Sequence, residues 1–189
     1  MEHMTRVQVG ENAPETIPYT EAVLQARLAC RQFAMLYFHF VKVLYERFGE
    51  EETKELTQKA IFELAIERSD LLREKALKAG LPVHDEQDFR EVSDLCRIAW
   101  QPAMGNLHCP YGEQWLTYYE DYPWFKEFAP FYCDVIDTTN IENFSKRLSH
   151  QLTENVLTGG KSCERIYFES EDVKNGKFTY GAADQESKP

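Results

Sequence analysis

Two long helical patterns fill the first eighty residues of this chain, and they constrain its fold more than any other feature. Apolar residues recur with helical spacing over residues 20–48 and again over 52–79. Gly49 follows the first pattern, and Gly80 with Pro82 follows the second, as glycine and proline commonly do after a helix. A shorter amphipathic pattern covers residues 86–97. The sequence therefore predicts three helices in its N-terminal half.

The apolar positions predict which face of each long helix is buried. In the first helix they are Leu24, Leu28, Met35, Leu36, Val43 and Leu44, and in the second they are Ala60, Ile61, Leu64, Ala65, Leu71 and Leu72. The middle of the first helix is apolar on nearly all sides, which predicts burial on more than one side. His39 lies within this stretch and is expected to be a core histidine.

The pattern changes after residue 100. Residues 100–135 hold all three tryptophans and four of the eight prolines, which favours short helices joined by turns. Residues 131–141, 144–157 and 162–170 are predicted to be strands of an antiparallel sheet, although the leucines of the middle segment also suit a helix. A turn at Thr158-Gly159-Gly160-Lys161 would join the last two. The prediction is an α+β protein, with a helical N-terminal half packed on a small antiparallel C-terminal sheet.

No linker or repeat divides the chain, so residues 19–170 are expected to form a single domain. Residues 1–18 are expected to be a flexible arm and residues 171–189 a polar tail. The net charge of −11 disfavours nucleic acid and anionic membrane surfaces as partners. With no apolar run that could span a bilayer and no signal-like N-terminus, a cytoplasmic protein without a membrane partner is expected. A homo-oligomer is possible, because the apolar first helix has a face that a dimer would bury.

The five cysteines are odd in number and contain no CxxC pair, so free thiols in a reducing cytosol are expected. They are Cys30, Cys96, Cys109, Cys133 and Cys163. Cys30 and Cys96 lie within helical patterns and are expected to pack as small hydrophobic side chains. The other three fall within residues 109–163, and this clustering is the first indication of a functional site.

Cys109 stands directly before a helix that begins with proline, in the segment His108-Cys109-Pro110. At such a position, unpaired backbone N–H groups and the positive end of the helix dipole favour thiolate over thiol. His108 is next to Cys109 in sequence. Cys109 is therefore a candidate nucleophile, and a buried structural cysteine is the alternative.

Two aspartates follow Cys133 closely. In the predicted strand, alternation places Cys133 and Asp137 on one face and Asp134 on the other. Either aspartate is a candidate general base or partner of a histidine. The alternative for Asp137 is to cap the turn that follows. Cys163 opens the last predicted strand, after a glycine turn that lacks the spacing of a phosphate-binding loop.

In chain order, Cys109-Pro110, Cys133-Asp134 and Gly160-x-x-Cys163 resemble the motifs of the L-2-amino-thiazoline-4-carboxylic acid hydrolase family. The resemblance covers residues from about 20 to 170 and is strongest between His108 and Phe168. One departure is in the closing segment, where the aromatic position after Cys163 is displaced or replaced.

The resemblance implies a hydrolase, without a cofactor, that opens a small cyclic amidine to a carbamoyl-cysteine. The family's cysteines are the candidates for the chemistry, here with a Cys109 thiolate attacking the ring carbon and His108 or His150 moving protons. Arg147 and Arg165 are the candidate cations for the carboxylate of the small-molecule substrate, and each is equally explained as a surface charge.

Two other functions compete with hydrolysis. Small α+β domains with a closing Gly-x-x-Cys strand also resemble vinyl-reductase-type ligand-binding domains, which favours a non-catalytic binding or sensor module. A metal site formed by Cys109, Cys133 and Cys163 with His108 or His150 would suit zinc, but no spacing here is that of a known structural site. If the three cysteines share one pocket, at least two should lie together, near a histidine and either Asp134 or Asp137.

Overall fold

The computed structural model describes residues 16–100 and 109–174, apart from the side chains of residues 172 and 173. Six α-helices and two strands are described: α1 (Tyr19–Phe48), α2 (Glu50–Lys78), α3 (Glu86–Val92), α4 (Pro110–Trp115), α5 (Ala129–Ser145), β1 (Leu148–Glu154), β2 (Glu164–Glu169) and α6 (Glu171–Lys174). Short 3-10 turns cover Arg97–Trp100, Leu116–Tyr118, Pro123–Glu127 and Val156–Thr158. Most of the predicted arm and tail lies outside the described residues.

Helix α5 occupies the centre of the fold, where it packs on α2 along its length and on β1 near its end. It contributes to three groups of buried side chains, through Cys133, Ile136 and Phe144. The largest group joins α1 to the aromatic residues of the segment after α4, and the indole N–H of Trp115 donates a hydrogen bond to the Ala34 carbonyl at 2.9 Å. The protein is therefore α+β with a single domain, as predicted.

The segment predicted as the first strand, residues 131–141, is instead part of α5. Its aromatic and β-branched residues are typical of strands. Pro130 stands in the first turn, where its fixed φ suits a helix, and packing against α2 stabilises the helical form. The sheet consequently has two strands rather than three, with β1 and β2 lying inside the other two predicted segments. The predicted alternation of side chains between two faces is also wrong, but residues four apart on a helix share a face, so Cys133 and Asp137 do lie together.

The buried face of α1 is not the predicted one. Its buried residues are Val23, Arg27, Cys30, Ala34, Phe38 and Val41. Leu28, Leu36 and Val43 of the predicted stripe are exposed, and so is His39. Apolar side chains of α1 point to nearly all sides of the helix. Their spacing alone therefore does not predict which side packs against the aromatic residues. Burial on more than one side is therefore not observed in the chain.

The other helices follow the predictions more closely. In α2, three residues of the predicted stripe are buried (Ile61, Ala65 and Leu72), and the others are exposed. Helix α3 ends at Val92 instead of continuing to residue 97, because Ser93 adopts an extended ψ of 136°. The predicted glycine turn is present, with Gly159 in the left-handed region at φ 93°. Within residues 16–100 and 109–174, no helix has the length and apolar character needed to cross a bilayer.

Candidate functional site

A cavity of about 580 Å³ lies between the helices and the sheet, within the size range of small-molecule sites. All seven elements from α1 to β2 contribute residues to its wall, together with the turn at Arg97–Trp100. Helix α5 supplies one side with Cys133, Ile136, Asp137, Asn140 and Ile141. The tertiary fold therefore brings together residues that are up to 137 positions apart in sequence, from Cys30 to Tyr167.

All five cysteines line this cavity. Cys109, Cys133 and Cys163 come from the start of α4, from α5 and from the residue before β2, so the structure brings together the three that were expected to share a pocket. Cys30 also lines it as a buried residue, and Cys96 is exposed at its surface. The expectation that these two pack only as small hydrophobic side chains missed their place in the cavity wall.

Cys109 caps α4, and its Sγ accepts a hydrogen bond from the Gly112 N–H at 3.3 Å. Burial nevertheless raises the pKa of the Cys109 thiol to about 11, because desolvation outweighs the N–H groups of Gly112 and Tyr111. The expected thiolate at this helix start is therefore wrong: Cys109 is a neutral thiol near pH 7. Burial also raises the pKa of Cys133 well above the usual range, and the Asp137 carboxylate adds to this effect.

Cys163 differs from these two because its side chain is only partly buried. Its Sγ lies 3.9 Å from Oδ1 of Asn155. The backbone of Asn155 also accepts a hydrogen bond from the Gly160 N–H at 2.9 Å, which holds the turn that leads to Cys163.

The two aspartates of α5 are in different environments. Asp137 lines the cavity and pairs with Arg165 of β2, whose Nε donates to the Asp137 carboxylate at 3.1 Å. Asp134 is exposed and is not among the residues of the cavity wall. Partial desolvation and the neighbouring Asp137 charge raise the pKa of Asp134. Of the two, only Asp137 is positioned to act on a bound molecule.

His150 projects from β1 into the cavity wall and is 5% exposed. Its Nδ1 lies 3.2 Å from the Thr138 hydroxyl oxygen, and its Nε2 has no hydrogen-bond partner among the described residues. Burial lowers the pKa of this imidazole and outweighs the opposing charge of Asp137, so His150 is neutral near pH 7. A neutral imidazole can accept or donate a proton.

Besides Asp134, two further predicted site residues, His108 and Arg147, are not placed at the cavity. His108 lies outside the described residues. Arg147 is buried at the junction of α5 and β1, where its carbonyl accepts a hydrogen bond from the Ser170 N–H at 2.7 Å, and it does not line the cavity. Of the two candidate cations, Arg165 alone is in the wall.

Three further arginines line the cavity, and sequence analysis missed them: Arg68, Arg90 and Arg97. Nε of Arg68 donates to Asp94 at 2.8 Å, whereas Arg90 and Arg97 form no ion pair within the part of the chain that the structure describes. Among the described residues of the wall, four arginines therefore face two carboxylates, Asp94 and Asp137, in a protein with a net charge of −11. The cavity is locally cationic, which favours an anionic ligand.

Asn140 is the other residue that sequence analysis missed. It lies three residues after Asp137 and seven after Cys133, a spacing that places all three on one face of α5. Had residues 131–141 been interpreted as a helix, this spacing would have pointed to Asn140. The arginines gave no comparable signal, because charged residues are common throughout these helices.

Among the described residues, no group of three or more His, Cys, Asp and Glu side chains has an arrangement that could hold a metal ion. The predicted alternative of a zinc site therefore has no support from this geometry, with His108 outside the described residues.

Comparisons with protein-family models, with curated proteins and with solved structures found no match to this chain. The fold and the site define it as an α+β protein with a thiol-lined, locally cationic cavity.

Proposed function

We propose that this protein is a hydrolase that opens a small cyclic amidine bearing a carboxylate, such as 2-amino-thiazoline-4-carboxylate. The observation that carries the proposal is the meeting of Cys109, Cys133 and Cys163 with the Arg165–Asp137 pair in one cavity. The order of the cysteine motifs, which resembles that of the amino-thiazoline carboxylate hydrolases, supports the same chemistry.

The arginines of the cavity supply the cation that a carboxylate substrate needs. Arg165 lies on β2 two residues after Cys163, so both side chains lie on the same face of the chain as it enters the strand. Asp137 fixes the guanidinium of Arg165 from one side, and N–H donors that are not used in this pair remain for the substrate. The carboxylate would then hold the ring beside the thiols.

We assign the attack to Cys163 rather than to Cys109. Burial keeps the thiols of Cys109 and Cys133 protonated, whereas Cys163 is partly exposed. The ring nitrogen of the amidine accepts the Cys163 proton, and the thiolate attacks the ring carbon that carries the amino group. The ring carbon–sulfur bond breaks, and the sulfur leaves with a proton from the amidine nitrogen. Water then releases the carbamoyl-cysteine and restores the thiol.

The direct test is to incubate the purified protein with 2-amino-thiazoline-4-carboxylate and to follow the small molecule by mass spectrometry. A gain of one water is expected, together with a protein adduct that has the mass of one added substrate. Cys163→Ser should abolish both, while Cys96→Ser, which changes an exposed cysteine of the same cavity, should retain turnover. Full activity in Cys163→Ser with loss in Cys109→Ser would return the nucleophile to Cys109.

A non-catalytic ligand-binding module is the second candidate. The observation that favours it is the burial of Cys109 and Cys133, which makes both thiols less reactive than ordinary cysteines. In that case the same compound would raise the melting temperature of the protein and remain unchanged. If the compound neither raised the melting temperature nor was turned over, both candidates would be contradicted for this class of ligand.

A further inference from the structure

Two buried polar groups without a hydrogen-bond partner line the cavity. Asn140 is 2% exposed, and its Oδ1 has no partner among the described residues. His150 is 5% exposed, and its Nε2 also has no hydrogen-bond partner among the described residues. Both belong to the cavity wall. Buried polar atoms in proteins are nearly always paired, so two such atoms in one wall need a physical explanation.

The neighbouring α5 asparagine shows what a purely structural role looks like. Nδ2 of Asn143 donates to Ser69 Oγ at 2.8 Å and to Asp70 Oδ1 at 2.7 Å, and its Oδ1 accepts from Lys146 Nζ at 2.7 Å. Asn143 thus joins α5 to α2 and does not line the cavity. Asn140, which is more deeply buried, does not make such a set of contacts.

We infer that Asn140 is a ligand-recognising residue, with its Oδ1 accepting a hydrogen bond from an N–H group of the ligand and with Nε2 of His150 as a second contact. An amide oxygen can only accept hydrogen bonds, so the ligand must present a donor to it. Together with the excess of arginines in the wall, this points to a small molecule that carries both an anionic group and a hydrogen-bond donor, and the amidine of the proposed substrate supplies an N–H. The inference rests on the cavity being a ligand site, as in the proposed function, but not on turnover.

Two probes separate recognition from hydrolysis: 2-aminothiazole-4-carboxylate and thiazole-4-carboxylate. They share an aromatic ring and a carboxylate and differ by the amino group, and hydrolytic ring opening would cost either compound its aromaticity. The unaltered protein should bind the amino compound with a Kd lower by roughly fivefold or more, measured by calorimetry, which is the effect of one hydrogen bond.

Asn140→Leu replaces the amide by an apolar side chain of similar size. It should abolish the preference for the amino compound and raise the melting temperature of the ligand-free protein, because a buried unpaired polar group is removed. Asn140→Ser adds no bulk and should also lose the preference. The matched control Asn143→Leu should lower the melting temperature, because its partners are left unpaired, and keep the preference.

Three results would overturn the inference. They are equal binding of the two probes by the unaltered protein, a preference that survives in both Asn140 variants, and failure of the amino compound to bind. A lower melting temperature in Asn140→Leu with an unchanged preference would assign Asn140 a structural role. None of these results depends on ring opening. The proposed hydrolysis is therefore tested independently, by the mass-spectrometric assay.

Discussion

Cys109 shows how two local effects oppose each other at a single residue. Its position at the start of α4 supplies backbone N–H groups that stabilise a thiolate. Its burial removes the water that would solvate the charge, and this effect is the larger one, since the pKa of the thiol is raised to about 11. A helix start therefore activates a cysteine only where solvent or a cation also reaches the sulfur.

The cysteines should consequently differ in their rates of alkylation. At pH 8, iodoacetamide should modify the exposed Cys96 first and Cys163 next. Cys109 should react on the order of a hundredfold more slowly than Cys96, since its pKa lies about two units higher than that of an ordinary thiol. Peptide mapping by mass spectrometry at timed intervals measures this order. Cys109 reacting as fast as Cys96 would contradict the assignment of a buried neutral thiol.

The raised pKa of Cys109 also predicts how stability changes in alkali. Because the thiol loses its proton near pH 9 when unfolded and near pH 11 when folded, the unfolded state binds fewer protons in this interval, and stability falls as the pH rises. Between pH 8 and pH 10, the titration of Cys109 should lower the free energy of unfolding by about 1 kcal/mol. Urea unfolding of the unaltered protein and of Cys109→Ser should show a loss that is smaller in the variant by this amount. Parallel pH profiles would show that Cys109 does not titrate as described.

At the scale of elements, α5 connects the core to the site. One face carries Cys133, Asp137 and Asn140 into the cavity, while Ile136 and Phe144 also pack into two buried groups that include residues of α2. Rigid support from a packed helix holds functional side chains more precisely than a loop does. The helical form of α5 is therefore what positions the site.

Asp134 gives a test of this helix. It is exposed on α5, and its pKa is raised by partial desolvation and by the charge of Asp137, three residues further along the chain. Asp134→Ala should stabilise the protein by about 0.5–1 kcal/mol, because alanine favours helix and the like-charge pair is removed. Ligand binding and turnover should be unchanged, since Asp134 does not line the cavity. Chemical unfolding measures the first effect, and loss of activity in this variant would restore Asp134 as a site residue.

At the scale of the whole molecule, the distribution of charge differs between the cavity and the chain. The chain has a net charge of −11, but the described residues of the cavity wall include four arginines and two carboxylates. Such local reversal of sign attracts an anion that the molecule as a whole repels. The exposed apolar side chains of α1, including Leu36, Phe40 and Val43, leave a homo-oligomer as a prediction.

Removal of a cation that forms no ion pair among the described residues should weaken anion binding. For Arg97→Gln, the Kd for 2-aminothiazole-4-carboxylate should rise by roughly two- to fivefold at low ionic strength, and by less in 0.5 M salt, because salt screens exposed charges. Arg47→Gln, which removes an exposed arginine of α1 outside the cavity wall, is the matched control. Calorimetric titration at two salt concentrations measures both. Equal effects of the two substitutions would show that only the overall charge matters.

Sequence by itself determined the elements whose signals are local. Glycine and proline stops predicted the ends of α1 and α2 to within two residues, and β-propensity with a glycine turn predicted β2. The segment that contains β1 was predicted as a strand, with a helix as the open alternative. The position of Cys109 at a helix start followed from Pro110 alone. Each of these depends on neighbours in the chain, which the sequence shows directly.

Tertiary structure alone decided the features that depend on distant residues. Packing on α2 made residues 131–141 helical against their strand-like composition, and packing of the aromatic residues of and after α4 selected the buried face of α1. The tertiary structure also brings the arginines of α2, α3 and β2 into one wall, and it excludes the water that would solvate a Cys109 thiolate. Burial and charge at a site are sums over residues from the whole chain, so no local pattern contains them.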